Sequence, residues 1–177
     1  PTTCTCHRPK IFHLARSLGH DLDLAALRFN FRGVGASAGE HGEGQGEAED
    51  LLAAWAEAER RAGAGLLVAA GFSFGAAMSL RAAEARAGRG ERLPDALALA
   101  GVPLRLFPPP DSPADRIPLA AVHGERDAFT PPEAVGQWIE SRRGPGAFRV
   151  LRGADHFLEG QLPEAVSFLS DRLSEWL

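Results

Sequence analysis

The chain has 177 residues, of which 45% are hydrophobic and 24% charged, and its net charge is −4. Those proportions suit one soluble globular domain over residues 1–177. No basic cluster exceeds a pair such as Arg60-Arg61 or Arg142-Arg143, so a nucleic-acid partner is excluded as well.

Both cysteines, Cys4 and Cys6, stand at the extreme N-terminus. Alternate residues of a short extended segment are poorly placed to bridge each other. Cys4-x-Cys6-His7 has no second ligand pair, so neither a disulfide nor a metal site is expected. No charged-then-apolar leader is visible, which makes the cytoplasm the expected location. From His7 to Leu18 a helical face forms from Ile11, Leu14, Ala15 and Leu18, with Gly19 as its end. Leu24 to Phe29 reads as a strand. Glycines at 33, 35, 39, 42, 44 and 46 then mark a loop. Gly33-x-Gly35-x-x-Ala38 meets the loose dinucleotide fingerprint. No helix starts there, acidic residues follow, and no second strand ends in an acid about 20 residues on. No cofactor is expected, and the loop reads as a structural turn braced by Arg32.

Glu47 to Arg61 is an amphipathic helix, with Leu51, Leu52, Trp55 and Ala58 inward and glutamates and arginines outward. The uncharged run from Ala62 to Leu80 is too rich in glycine and serine for a membrane span, and no membrane partner is expected. It holds a short apolar strand, Leu66 to Ala70, then Gly71-Phe72-Ser73-Phe74-Gly75, then an alanine-rich helix from Ala76 that stops at Gly88. G-x-S-x-G at a strand-to-helix junction is a nucleophile elbow. Its glycines are expected because the neighbours on both sides of the strained serine approach too closely for side chains. The helix start directs the Phe74 N–H toward charge developing beside Ser73.

Ala96 to Ala100, Leu119 to Val122 and Ala147 to Leu151 are further strands, the last partly alternating as near a sheet edge. A helix begins at Pro131-Pro132 and carries Val135, Trp138 and Ile139. A final helix, Pro163 to Leu177, buries Val166, Phe168, Leu169 and Leu173. No internal repeat or linker is visible. Short strands alternating with helices predict an α/β fold, with about five strands in a mainly parallel sheet and helices on both faces. Sites in such sheets form where loops leave the carboxyl ends of strands, and Ser73, Asp127 and His156 all fall at such ends.

A serine hydroxyl is a weak nucleophile until a histidine takes its proton, and the histidine needs a carboxylate to fix its tautomer. Chain order Ser73, Asp127, His156 matches one of the known serine-hydrolase orders. Asp155 adjoins His156 but points elsewhere from a turn, as a loop-shaping residue. Glu125 is the best alternative acid. His123 competes as base, or packs as a hydrogen-bonded residue under the acid loop. Phe72, Phe74, Phe129 and Phe157 flank these residues and suggest a modest apolar pocket for a small acyl substrate. The Pro103–Pro118 connection is too short for a separate lid domain. A homo-oligomer is compatible with the composition.

Four motifs in order carry a resemblance: Arg28-Phe29-Asn30-Phe31-Arg32-Gly33-Val34-Gly35-x-Ser37, Gly71-Phe72-Ser73-Phe74-Gly75, His123-Gly124-Glu125-Arg126-Asp127 and Gly153-Ala154-Asp155-His156-Phe157. From about Pro9 to the C-terminus the chain resembles a family of small bacterial α/β-hydrolases, lidless serine hydrolases distantly similar to dienelactone hydrolases. The resemblance implies the α/β-hydrolase fold, Ser73 as nucleophile, Asp127 as acid and His156 as general base. Dienelactone hydrolases proper use cysteine, so a serine shifts the expectation toward ester or thioester cleavage.

Members of that family open with two or three strands and a His-Pro-His-Pro-x-x-Gly-Gly-like turn that supplies part of the oxyanion hole. Here only the tail of that turn would be present, around Cys4-Thr5, which reads as an N-terminally truncated member. The family's third strand lies between its fourth strand and the elbow strand. If the chain is complete, Leu24–Phe29 is therefore expected to pair directly with Leu66–Ala70 or with a partner chain. Phe74 offers one oxyanion donor; Thr2 or Thr3 could offer the second only if the terminus is held in place. The competing reading is a non-catalytic or impaired scaffold of the same fold, and a peptidase of that fold has no visible peptide-binding feature.

Overall fold

The computed structural model describes residues 9–63, 65–109 and 112–177. In chain order it contains α1 (Pro9–Asp21), α2 (Gln45–Ala62), β1 (Val68–Phe72), α3 (Phe74–Arg89), β2 (Ala96–Ala100), a 3-10 turn (Pro113–Arg116), β3 (Leu119–Gly124), α4 (Pro132–Glu140), β4 (Gly146–Leu151) and α5 (Leu162–Trp176). The strands form one sheet in the order β1-β2-β3-β4, parallel throughout. Their carboxyl ends therefore share one edge of the sheet, and the elbow, acid and histidine loops all leave from it.

The period of two along β2 sorts the core into two layers. Leu97 and Leu99 face one layer with Leu51, Leu52 and Trp55 of α2, Met78 and Ala82 of α3, and Val135 and Ile139 of α4. Ala96, Ala98 and Ala100 face the other layer with Leu14 and Leu18 of α1 and Val166, Leu169 and Leu173 of α5. Helices thus cover both faces, as the α/β pattern predicts. β4 is an edge strand, and Arg149 and Val150 are exposed.

Leu24–Phe29 departs from expectation. It forms no strand and no ladder with Leu66–Ala70, so the sheet of the described residues has four strands, not about five. Ala25, Ala26, Leu27 and Arg28 are exposed, and the guanidinium of Arg28 lies 4.7 Å above the Phe12 ring. A strand exists through the ladder of its partner, and apolar composition alone does not close one.

Two helix ends also move. Gly19 lies inside α1 and Gly88 inside α3, which ends instead at Gly90. The run from Ala62 to Leu80 divides among the end of α2, β1 and the start of α3, and no helix among the described residues is long and apolar enough to cross a membrane. Cys4, Cys6, His7, Thr2 and Thr3 lie outside the described residues.

Candidate active site

Ser73 stands between β1 and α3 with φ 52 and ψ −116, a region that side-chain-bearing residues rarely occupy. Neighbouring backbone holds it there: its N–H donates to the Ala100 carbonyl at 2.8 Å, and its carbonyl accepts from Ala76 N–H at 2.9 Å. A Cβ on Gly71 would come within 2.5 Å of the Gly75 backbone, so the steric reason for glycine holds at 71. It does not hold at 75, where a Cβ would meet nothing described within 4 Å.

His156 sits beyond β4, with Asp155 accepting the Phe157 N–H at 2.9 Å to shape the turn. Its ring, 6% exposed, is enclosed by Phe129 at 4.6 Å, Phe157 at 5.4 Å and Phe72 at 5.7 Å between centroids. On the β2 side Gly101 adopts φ +58, and a Cβ there would stand 3.2 Å from His156 Cε1. The helix α1 also reaches this loop, through Lys10 Nζ donating to the Phe157 carbonyl at 2.6 Å.

Asp127 follows β3 and is buried. Its Oδ1 accepts the N–H groups of Phe129 at 2.8 Å and Thr130 at 3.1 Å. Oδ2 accepts from His156 Nδ1 at 2.6 Å, and His156 Nε2 lies 2.8 Å from Ser73 Oγ. Burial opposes ionisation of Asp127. Hydrogen bonds from His156 and the Phe129 N–H, with the fields of the two imidazoles, outweigh it and hold the carboxyl below its ordinary value.

The acid and histidine loops are stitched together. Arg126 N–H donates to the Ala154 carbonyl at 2.8 Å, and Gly153 N–H donates to Glu125 Oε2 at 2.6 Å. Glu125 thus braces the histidine loop and is not the acid facing His156. His123 lies under the acid loop, fully buried, with Nε2 2.9 Å from the Thr130 carbonyl.

Chemically, the hydroxyl of Ser73 can give its proton to His156 Nε2 while Nδ1–H stays bonded to a carboxylate. The Phe74 N–H is the first of α3, where the helix itself supplies no acceptor four residues back. Around the Phe74 ring stand Phe31 and Phe107, each at 5.5 Å, and His41 at 5.6 Å. Sequence reasoning missed these three, because only the folded loop before α2 and the Pro103–Pro118 connection bring them together.

It also placed Glu47 outward, whereas Glu47 is fully buried. Its carboxylate accepts the N–H groups of Gly42 at 2.8 Å and Gly44 at 2.9 Å and pairs with His41. A Glu three residues after a helix N-cap was the available signal. The glycine loop forms turns with no helix before Gln45, and Arg32 braces it by a forked pair with Asp50 at 2.7–3.1 Å. A groove of about 400 Å³ between α1 and α5, lined by His13, Ser17, Asp21, Val166 and Ser170 among others, shares no residue with the Ser73 site.

Comparison with solved structures finds close neighbours. An α/β serine hydrolase homologue from Coxiella burnetii is 32% identical with a TM-score of 0.81, covering 96% of this chain and 78% of that one. An α/β serine hydrolase without a lid from Xanthomonas campestris is 30% identical, also at 0.81, covering 98% and 76%. Est1E from Butyrivibrio proteoclasticus, solved with ferulic acid bound, matches at 0.80 but at 16% identity, over 98% and 85% of the two chains, and so shows the fold alone. No family profile matches the chain, and no curated protein sequence does.

Proposed function

Because this chain belongs to the lidless α/β serine hydrolases, we propose that it cleaves a small acyl ester or thioester through an acyl-enzyme formed on Ser73. The observation that carries the reading is the unbroken path from Ser73 Oγ through His156 to Asp127, at 2.8 and 2.6 Å.

In the first half-reaction Ser73 Oγ bonds to the acyl carbon as its proton passes to His156 Nε2. The tetrahedral oxyanion takes a hydrogen bond from the Phe74 N–H. Collapse breaks the bond to the leaving oxygen or sulfur, which receives the proton from His156. Water then gives a proton to His156 and its oxygen to the acyl carbon, and the free acid leaves as Ser73 regains its hydrogen. Asp127 stays ionised throughout and supports the imidazolium that forms. Phe129 and Phe157, 44% and 40% exposed beside the imidazole, offer apolar surface to a small substrate. Phe72 adds a third ring, 5.7 Å from the imidazole. No cofactor takes part in these steps.

The test is labelling with a fluorophosphonate probe together with hydrolysis of short-chain p-nitrophenyl esters. The wild type is expected to label and turn over, and Ser73→Ala to do neither. A folded wild type that neither labels nor hydrolyses would support the non-catalytic scaffold instead.

A further inference from the structure

We propose that His123 is a positioning residue, whose Nε2–H bonds the Thr130 carbonyl and so holds the acid loop, and Asp127 with it, in the orientation that faces His156. This rests on Asp127 serving as the acid of the proposed relay.

Geometry fixes the tautomer. Nε2 lies 2.9 Å from the Thr130 carbonyl oxygen, which can only accept, so Nε2 carries hydrogen. The same nitrogen lies 3.2 Å from Asp127 Oδ2. Nδ1 has no partner among the described residues, and the ring is fully buried. A second proton would create a buried cation with an unbonded N–H, whereas a bare lone pair at Nδ1 costs far less. Burial accordingly pushes this imidazole below its ordinary value, against the raising influence of Thr130 and Asp127. The groups facing it are Asp127 and Thr130 of the acid loop, His156 beyond β4, and the Phe148 ring of β4 at 6.5 Å. The geometry thus assigns the hydrogen to Nε2, and burial favours the neutral ring.

That donor changes what Asp127 can do. Oδ1 is tied to two backbone N–H groups of its own loop. Oδ2 is bonded to His156, the ring that it is meant to orient. The N–H groups on Oδ1 belong to the same loop and fix the carboxylate only relative to it, whereas His123, held on β3, ties that loop to the sheet through the Thr130 carbonyl. Through Thr130 it also fixes the loop that carries Phe129, whose ring stands 4.6 Å from His156.

The experiment is a double-mutant cycle between His123 and Asp127, read with a short-chain p-nitrophenyl ester. His123→Phe keeps ring volume and removes the donor. We expect it to lower kcat about tenfold or more with KM within about twofold, from loss of the hydrogen bond that holds the acid loop in place. His123→Gln, which returns an N–H near the Nε2 position, should recover most of that loss. In an Asp127→Asn background His123→Phe should cost less than about twofold, because the group it acts through is already altered. Equal losses in both backgrounds, or no loss in the wild-type background, would overturn the proposal.

If His123→Phe fails to fold, nitrogen NMR of wild-type histidines decides. His123 must keep the neutral Nε2–H form through the range around pH 6.5 in which free histidine titrates, and an imidazolium or an Nδ1–H form there would refute the role. Absence of Ser73-dependent turnover in the wild type would overturn the catalytic reading and this role with it. Ser73-dependent turnover with His123→Phe unaffected would overturn this role alone.

Discussion

The carbonyl of Gly75 lies 2.5 Å from the point where Gly71 would carry a Cβ. The last residues of β1 and the first turn of α3 thus pass at backbone contact, and that closeness holds Ser73 in its strained turn. Gly71→Ala must push the two segments apart. A cost of about 1–3 kcal/mol is expected from overpacking, and a shift of about 1 Å in Ser73 would lower kcat/KM by about 100-fold. Gly75→Ala meets nothing described within 4 Å and replaces a helical glycine. It should leave probe labelling intact and raise stability by up to about 1 kcal/mol. Thermal melts and labelling of the pair test this, and equal damage from both substitutions would contradict it.

The two acidic residues of the acid loop have different tasks. Asp127 Oδ2 lies 2.6 Å from His156 Nδ1, while Glu125 Oε2 accepts the Gly153 N–H at 2.6 Å. Asp127→Asn keeps the shape but favours the wrong imidazole tautomer, so kcat should fall by about 1,000-fold or more. Glu125→Gln retains an acceptor for Gly153 and should stay within about tenfold of wild type. Steady-state kinetics of the two variants separates the assignments, and a larger loss from Glu125→Gln would reverse them.

Much of this arrangement was legible in the residues, and the exceptions share a cause. Ala96–Ala100 shows its limits in the sequence because a run of small apolar residues between turn formers has one local solution. The elbow is legible because a serine between glycines at a strand end is itself local geometry. Leu24–Phe29 looks identical, as composition, whether or not a neighbour offers it a ladder, and no described neighbour does. Glu47 belongs to the same class. Helical periodicity placed it among the polar residues, but its burial depends on N–H groups that Gly42 and Gly44 present only after the loop has folded. The rings of Phe31, His41 and Phe107 meet at Phe74 for the same long-range reason.

Acid should weaken the fold through Glu47, Asp50 and Glu59. Burial opposes the charge on Glu47, but the N–H groups around it more than compensate and lower its pKa from an ordinary 4.5. Arg32 does the same for Asp50, ordinarily 3.8, and Arg86 for Glu59, ordinarily 4.5. Folded-state values below the unfolded ones mean that the contribution is complete above the ordinary range and is lost as pH falls through the depressed values. The urea midpoint should therefore decline as pH drops below about 4.5. In Glu47→Gln one N–H of the Gly42–Gly44 pair would face an amide N–H₂, which costs about 1–3 kcal/mol at neutral pH. That variant should also show a shallower acid limb. An unchanged limb would remove Glu47 from the account.

Arg86 is the buried cation of the α2–α3 contact, 4% exposed and lying 5.3 Å from the Trp55 ring. Its guanidinium forks onto both oxygens of Glu59 at 2.8 Å and caps the Arg92 carbonyl at 2.9 Å. Removing one partner of such a pair leaves the other uncompensated, which costs about 3–5 kcal/mol when burial is complete. The Glu59 side chain is 25% exposed, so water takes up part of the deficit. Arg86→Met should therefore cost about 1–3 kcal/mol. Pairing it with Glu59→Met replaces both charges by apolar volume and should return part of that loss. Urea unfolding of the two single variants and the double variant gives the coupling directly. If the losses simply add, the fork between α2 and α3 holds no energy beyond that of its separate side chains.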